Sequence, residues 1–460
     1  MDTASTGLDF SSLRRILSGT LHEPGDATYT RLATPWNLAV PTSPAAVVAA
    51  TTAKDVAAAV KFAAAHDLPV AVQATGHGIA SNLDGALLIH TGALDECLIS
   101  QSERGGTART GAGTTWATVL RRCAALGLAG LSGSAPGVSV AGYTSGGGIG
   151  PMARTFGAAS DRVRSLDVVT GDGELRHVTA TTEPELFWGL RGGKGSLGII
   201  TALEFELLAL PTIYAGTLFF DTADVPRIVH AWAQWCPSLP PAATTSIALM
   251  QLPPMPGVPE PLAGKFTIAV RYVYTGNEDD GATWLTPIRS AAAPLMDTVA
   301  LMPSSMIGMV HSDPEDPLPV VEGSALLTDF TNTTAHTLLE MAGPDANSLQ
   351  LLVEIRQFGG ALAQEPAEPS ALCHRDAPFG LYTVGAGAPP DLAGIKGHSE
   401  LIIERMSPWA YGGTLPNFSA SSGQKGFAAS YTAETLSRLG ALAQHFDPGN
   451  VFRVGQVPAR

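Results

Sequence analysis

The chain has 460 residues, a formal net charge of -14 at pH 7, 45% hydrophobic residues and 15% charged ones. That length is too great for one ordinary hydrophobic core, so two or three domains are expected, and the hydrophobic share excludes a globally disordered chain. The acidic balance excludes a non-specific nucleic-acid binder and a binder of anionic membranes.

Met1 to Thr20 contains no apolar run of signal-peptide length, and no run of about 18 apolar residues follows elsewhere. A cytoplasmic location without a membrane partner is therefore the expectation. Residues 44–75 read as a βαβ unit. Ala46–Ala50 is an apolar strand, Thr52 and Asp55 form a capping box, Val56–Ala65 is an alanine-rich helix, and Val70–Gln73 is a buried strand. That strand runs into Thr75-Gly76-His77-Gly78. Thr107–Gly113 reads as a strand and Trp116–Ala125 as a helix, followed by the glycine-rich stretch Gly133–Gly150. Val163–Thr170 and Glu174–Thr179 form a hairpin around Asp172-Gly173, a turn dipeptide. A short helix over Glu183–Arg191 and an apolar strand over Ile199–Leu208 complete the first half.

After Pro211 the glycine-loop character disappears. Lys265–Tyr274, Leu351–Gln357 and Phe379–Val384 read as strands, and residues 212–420 as a separate α+β domain. Residues 421–460 contain a helix with apolar positions Leu436, Leu439, Leu442 and Phe446 and end in an Asp447-Pro448-Gly449-Asn450 turn. The cysteines Cys97, Cys123, Cys236 and Cys373 form no CxxC pair and read as free thiols.

One nucleotide signature fails on context. Gly193-Lys194-Gly195-Ser196-Leu197-Gly198 matches GxGxxG, but a helix precedes it and a strand follows, the reverse of the dinucleotide fingerprint. No P-loop and no GxSxG elbow occur, and no clustered His/Cys set points to a metal. Two glycine-rich segments remain, Ala74-Thr75-Gly76-His77-Gly78 and Gly142-Tyr143-Thr144-Ser145-Gly146-Gly147-Gly148-Ile149-Gly150. Successive glycines let backbone amides converge on an anion, so two such loops can hold a pyrophosphate; both can equally be tight turns. His77, between two glycines at a strand end, reads either as a surface residue or as a ring projecting beside a bound group.

The order of these pieces resembles the FAD-binding domain of the berberine-bridge-enzyme-like branch of the vanillyl-alcohol-oxidase (PCMH-type FAD) superfamily. The matching residues are Gly76-His77, Gly133-Ser134-Ala135-Pro136 through Gly150, Asp161 to Gly173, Glu185-Leu186-Phe187-Trp188 with Arg191-Gly192-Gly193, Gly198-Ile199-Ile200-Thr201, Tyr431, and Asp447 to Phe452. The middle of the chain matches only at His374-Arg375-Asp376-Ala377. The resemblance implies an α+β fold. A two-subdomain FAD-binding domain (residues 1–211) is joined to a substrate domain (212–420) with an antiparallel sheet flanked by helices, and a C-terminal segment (421–460) returns to the first domain.

The resemblance further implies FAD bound by Ala74, Thr75, Gly76, His77, Gly78, Ser134, Pro136, Val140, Gly142, Tyr143, Ser145, Gly146, Gly147, Gly150, Gly198, Ile200, Asn450 and Phe452. It makes His77 the covalent tether to the flavin. Many relatives add a cysteinyl link in a Gly-Thr-Cys-Pro motif; Ala135 stands at that cysteine here, so no second link is expected. The implied activity is that of an oxidase or dehydrogenase taking a hydride from a C–H of a small or medium-sized alcohol, phenol or amine, with molecular oxygen or another acceptor closing the cycle. A cyclase or isomerase and a carbohydrate oxidase are the alternatives on the same scaffold, in a monomer or homodimer. The base is open among Tyr431, which is otherwise a core tyrosine, Tyr382, whose strand carries no carboxylate, and Asn417, for which a loop role is the simpler expectation.

Overall fold

The computed structural model describes residues 8–79, 81–102, 105–254, 257–419 and 423–456, so the expected domain boundary at 420/421 lies outside the described residues. Among these residues the chain forms three sheets. The first comprises β1 (Thr20–His22), β2 (Ala46–Ala49), β3 (Val70–Gln73) and β4 (Leu87–His90), in the order β1-β2-β4-β3. The two strands of the expected βαβ unit are therefore not neighbours: both run parallel to β4, which lies between them. Leu87, Leu88 and Ile89 are wholly buried, as the centre of a parallel sheet requires.

The helix Ala53–Ala65 starts at the anticipated capping box, where Thr52 Oγ1 accepts from Asp55 N and Asp55 returns the bond to Thr52 N. Asp55 does more than cap. Its buried carboxylate also accepts from Ser18 N at 2.7 Å, Gly19 N at 3.2 Å and Thr51 N at 2.9 Å. The chain end closes this sheet, because Val70 N donates to Val451 O at 2.9 Å and Phe452 packs into the apolar cluster holding Val56 and Leu87. Asp447 accepts from Val451 N and Phe452 N to set that turn.

The second sheet is antiparallel: β5 (Cys97–Ser102), β6 (Gly105–Gly111), β7 (Leu128–Ala129), β8 (Val163–Val169), β9 (Leu175–Thr179) and β10 (Ile199–Ala209), in the order β5-β6-β10-β8-β9 with β7 against β10. The β8–β9 turn is built as its residues dictate. Gly173 takes φ 75°, and Asp172 Oδ1 accepts from Thr170 Oγ1 and Glu174 N.

The third sheet has eight strands: β11 (Thr212–Phe220), β12 (Ala243–Gln251), β13 (Phe266–Tyr274), β14 (Met296–Asp297), β15 (Ala300–Pro303), β16 (Val320–Leu327), β17 (Leu352–Gln357) and β18 (Phe379–Ala386). Strand alternation divides its side chains between two faces. Ile247, Val270, Ile355 and Leu381 join an apolar cluster with Trp232, Leu338 and Ile402 of the covering helices Val225–Trp235, Asn332–Ala342 and Pro389–Arg405. The intervening positions, Ser246, Arg271, Glu354, Arg356 and Tyr382, occupy the opposite face, toward the first half of the chain. The register aligns them, with Ser246 opposite Arg271 and Arg356, and Glu354 opposite Tyr382.

Several links fix the halves to each other, among them two from buried polar side chains and the Arg375–Asp161 ion pair. Buried Arg154 donates to the carbonyls of Ala243, Phe358 and Leu239, and the Asn37 carboxamide bonds both backbone groups of Val320. No helix of the described residues is long and apolar enough to cross a membrane.

Replacing Asp55 by Ala leaves its buried donors without a shared acceptor. The expected loss is about 3 kcal/mol, in the range for hydrogen bonds to a charged group, read as a lower denaturant midpoint at unchanged slope. An unchanged midpoint would show that water replaces the carboxylate.

Candidate functional site

Strand β3 delivers the segment Ala74-Thr75-Gly76-His77-Gly78 to a cleft below the third sheet. Gly76 has φ 78°, and a Cβ there would lie 2.8 Å from Pro35 Cα and Trp36 N, so the close passage of residues 35–36 requires glycine. That passage stacks the Trp36 indole on the His77 imidazole, 4.6 Å between centroids at 18°. Burial pulls the His77 pKa down to about 4 against the opposing field of Asp313, so the imidazole is neutral at neutral pH. Thr75 Oγ1 accepts from Ser139 N at 3.3 Å and ties the first glycine segment to the second.

A residue that touches a ligand must keep accessible surface in the protein alone. Ala74, Thr75, His77, Gly78, Ser134, Pro136, Gly142 and Gly150 keep it. Gly76, Val140, Tyr143, Ser145, Gly146, Gly147, Gly198, Ile200 and Phe452 are largely covered by protein, although Tyr143, Ser145 and Ile200 keep 7–9% of their surface. Each also has a packing role. Tyr143 puts its ring edge-on to Trp116 and fills the space where a Cβ on Gly133, Gly148 or Gly150 would lie. Gly147 has φ 99° and faces Leu372, and Gly198 faces Val168 and the Val169 carbonyl. Phe452 belongs to the first sheet's core, and Asn450 is a left-handed turn residue at φ 52°.

Tyr431 takes the core position, its alternative reading. Its ring lies in the core against Phe427 and its hydroxyl donates to Gly192 O at 2.8 Å, which leaves it no cleft to serve as a base. Asn417 has the loop role, donating to Tyr143 O at 2.8 Å.

Tyr382 stands in the cleft, and the carboxylate that its own strand lacks comes from the neighbouring strand. Its hydroxyl donates to Glu322 Oε1 of β16. Burial holds Glu322 above the usual carboxylate range, while the Tyr382 bond and the Lys194 charge act the other way. Lys194, at φ 59°, reaches from the discarded GxGxxG match into the cleft. Its Nζ lies 4.0 Å from where a Cβ on Gly78 would be, and its Cε 2.8 Å from that of Gly146. Burial pulls its pKa down to about 8. Arg356 sits 5.8 Å from the Tyr382 ring centroid and 5.0 Å from that of Phe418.

Sequence reasoning missed Trp36, Lys194, Asp313, Glu322 and Arg356. Only Lys194 carried a local signal, a lone charged residue between two glycines.

Residues 44–179 match the model of an FAD binding domain. The chain is 25% identical to (R)-6-hydroxynicotine oxidase of Paenarthrobacter nicotinovorans, over 95% of this chain and 96% of that protein. It is 22% identical to an FAD-linked oxidoreductase of Dictyostelium discoideum, over 91% and 89%. Among solved structures it superposes on the BBE-like 1 protein of Physcomitrella patens with a TM-score of 0.82 at 18% identity, covering 97% of this chain and 98% of that one.

The residues fit such a cofactor. Gly78, in the first glycine segment, and Gly137, just before the second, are exposed. A Cβ would meet nothing within 4 Å at Gly137 and only Lys194 Nζ at Gly78, so their backbones stand open to a ligand. The expected outcome separates the two kinds of glycine. Gly78→Val should fold with an unchanged melting temperature when produced without flavin but take up little FAD. Gly147→Val should lose about 2 kcal/mol of stability through its left-handed backbone. Equal FAD content in Gly78→Val and wild type, read from the flavin absorbance per protein, would remove Gly78 from the binding surface.

Proposed function

We propose that the chain, an FAD-linked oxidoreductase with the fold of the berberine-bridge-enzyme-like branch, oxidises a small or medium-sized alcohol, phenol or amine in the cleft between His77 and Tyr382. The observation that carries this reading is the hydroxyl–carboxylate pair of Tyr382 and Glu322 on the sheet face above the glycine segments. The exposed segments at Ala74–Gly78 and Ser134–Gly137 would hold FAD, with His77 as its covalent tether and no cysteinyl link, since residue 135 is alanine. FAD bound there supplies the hydride acceptor.

The protein's own contribution is to move a proton and exclude water. Tyr382 donates its hydrogen to Glu322, so its oxygen keeps lone pairs for a substrate O–H or N–H. As that proton arrives, the phenol proton passes to the carboxylate. Burial suits Glu322 to this, because a carboxyl group raised toward neutral pH is a stronger general base than an ordinary one. The neighbouring Lys194 charge works against that burial and favours the ionised carboxylate. A neutral His77 supports the tether, since an unprotonated ring nitrogen is available for bonding.

Acid precipitation of wild-type protein should leave the yellow colour in the pellet, and His77→Ala should release it or never acquire it. Flavin fully released from the wild type would end the tether proposal. For the proton path, the anaerobic rate of flavin bleaching should rise with pH as Glu322 ionises, through a pKa above the ordinary carboxylate value. Tyr382→Phe and Glu322→Gln should each slow bleaching about 100-fold, the scale of general base catalysis, and Glu322→Gln should flatten that limb of the profile. Unchanged rates and an unchanged profile in both variants would assign the chemistry to other groups.

A further inference from the structure

Lys194 stands where the backbone asks for glycine. Its φ is 59°, a left-handed conformation that is costly for a residue with a side chain, and Gly193 and Gly195 flank it. The turn is held from outside, because Gly192 N and Lys194 N both donate to Ser145 O, at 2.9 and 3.0 Å. The side chain then needs a passage. Gly146 leaves one, since a Cβ there would lie 2.8 Å from Lys194 Cε and 2.0 Å from Asn417 Oδ1. A glycine at 194 would serve the turn better, so the strain points to a use for the ammonium group that the lysine carries into the cleft.

That ammonium has no fixed partner. Among the described residues no hydrogen bond holds it and no carboxylate oxygen lies within 4.0 Å of it. Glu322 acts on it through its field alone. Arg356, by contrast, is committed, with its Nε donating to Glu354 Oε2 at 2.8 Å. Burial pulls the Lys194 pKa down to about 8, so the group is charged at neutral pH while its charge is incompletely balanced.

The proposed oxidation moves one negative charge across this cleft. A hydride leaves the substrate C–H with its bonding pair and adds to the flavin, which gains two electrons and one proton and therefore one unit of negative charge. The substrate O–H or N–H proton passes to the Tyr382 oxygen as the phenol proton passes to Glu322, whose carboxylate becomes neutral. A neutral substrate leaves as a neutral carbonyl or imine. The charge opposite Lys194 thus lies on Glu322 before the transfer and on the flavin after it. A direct ion pair with Glu322 would oppose that change; an ammonium bonded to neither group can serve both.

We propose that Lys194 is the counter-charge of the reduced cofactor, its ammonium balancing the Glu322 carboxylate before hydride transfer and the negative flavin after it, so that it draws the flavin toward the reduced form. The inference rests on the reading of the cleft as the oxidation site and adds to it a residue that tunes the cofactor's potential.

The reduction equilibrium of the holoenzyme flavin against a reference dye tests it, because xanthine and xanthine oxidase supply the electrons anaerobically and neither substrate nor Tyr382 takes part. Lys194→Met removes the charge and keeps most of the stem. Lys194→Gly removes the charge together with the left-handed strain, so the test survives if the first variant does not fold. In each, the ratio of reduced to oxidised flavin at a fixed dye ratio should fall about tenfold, the scale of one unit charge acting over about 10 Å at an effective dielectric constant of about 20. For a two-electron couple that is about 30 mV. An unchanged ratio with the flavin in place would overturn the proposal. Loss of flavin from both variants would overturn it as well, by making Lys194 a residue that holds the cofactor. Failure of the oxidation reading is distinct: it would appear as unaltered bleaching rates in the Tyr382 and Glu322 variants, whatever the dye equilibrium of the Lys194 variants.

Discussion

The sheet face above the cleft depends on one buried carboxylate. Glu354 is 1% exposed, and it accepts hydrogen bonds from Ser246, Arg271 and Arg356 and lies within reach of His311. Each of these groups comes from a different part of the chain, and each is buried or nearly so. Removing the carboxylate would strand two guanidinium groups in a low-dielectric interior, a penalty on the order of 3–5 kcal/mol. Arg356, held in this way, lies against the rings of Tyr382 and Phe418. The position of Tyr382 in turn decides where the Glu322 pair sits. The chemistry of the cleft is thus set by an ion cluster that takes no part in it.

The glycine segments illustrate a second separation between pattern and cause. A run such as Gly146-Gly147-Gly148 invites explanation by ligand contact. Here Tyr143 explains much of it, because its ring occupies the ground that side chains at Gly133, Gly148 and Gly150 would need. Gly147 answers to Leu372, and Gly76 to the backbone of Pro35 and Trp36. Gly78 and Gly137, which stand open to a ligand, have no such packing partner beyond the Lys194 ammonium near Gly78. Close packing of the loops shapes the surface, and two open positions expose it.

Most of the local structure was legible in the sequence for this reason. The strands β3, β8, β9, β10, β13 and β17 fall where periodicity places them, within a residue or two, and the helix Ala53–Ala65 begins at its capping box, three residues before the expected Val56, since each is specified by its own neighbours. Strand β4 went unread, although Leu87–His90 is as short and apolar as the run that marked β2. The cleft was the harder part. Glu322 and Tyr382 are 60 positions apart and meet only through the pairing of β16 with β18. Trp36 reaches His77 through the strap that docks on Leu318 and Val320. Such meetings are properties of sheet register, and no window along the chain contains them. Lys194 was read inside a motif whose context was rightly rejected, and the rejection concealed the side chain.

The return of the C-terminus to the first sheet bears on how the chain is made. Val451 accepts from Val70, and Phe452 fills a core built from residues that emerge far earlier. Asn37 waits in the same way for Val320, 283 positions later. An N-terminal region of this kind cannot complete itself while it is being synthesised, although domains generally fold as units in the order they emerge. Until that turn is made, the corner of the first sheet that Val451 and Phe452 close stays open, although the helix Ala53–Ala65 already covers much of its apolar side.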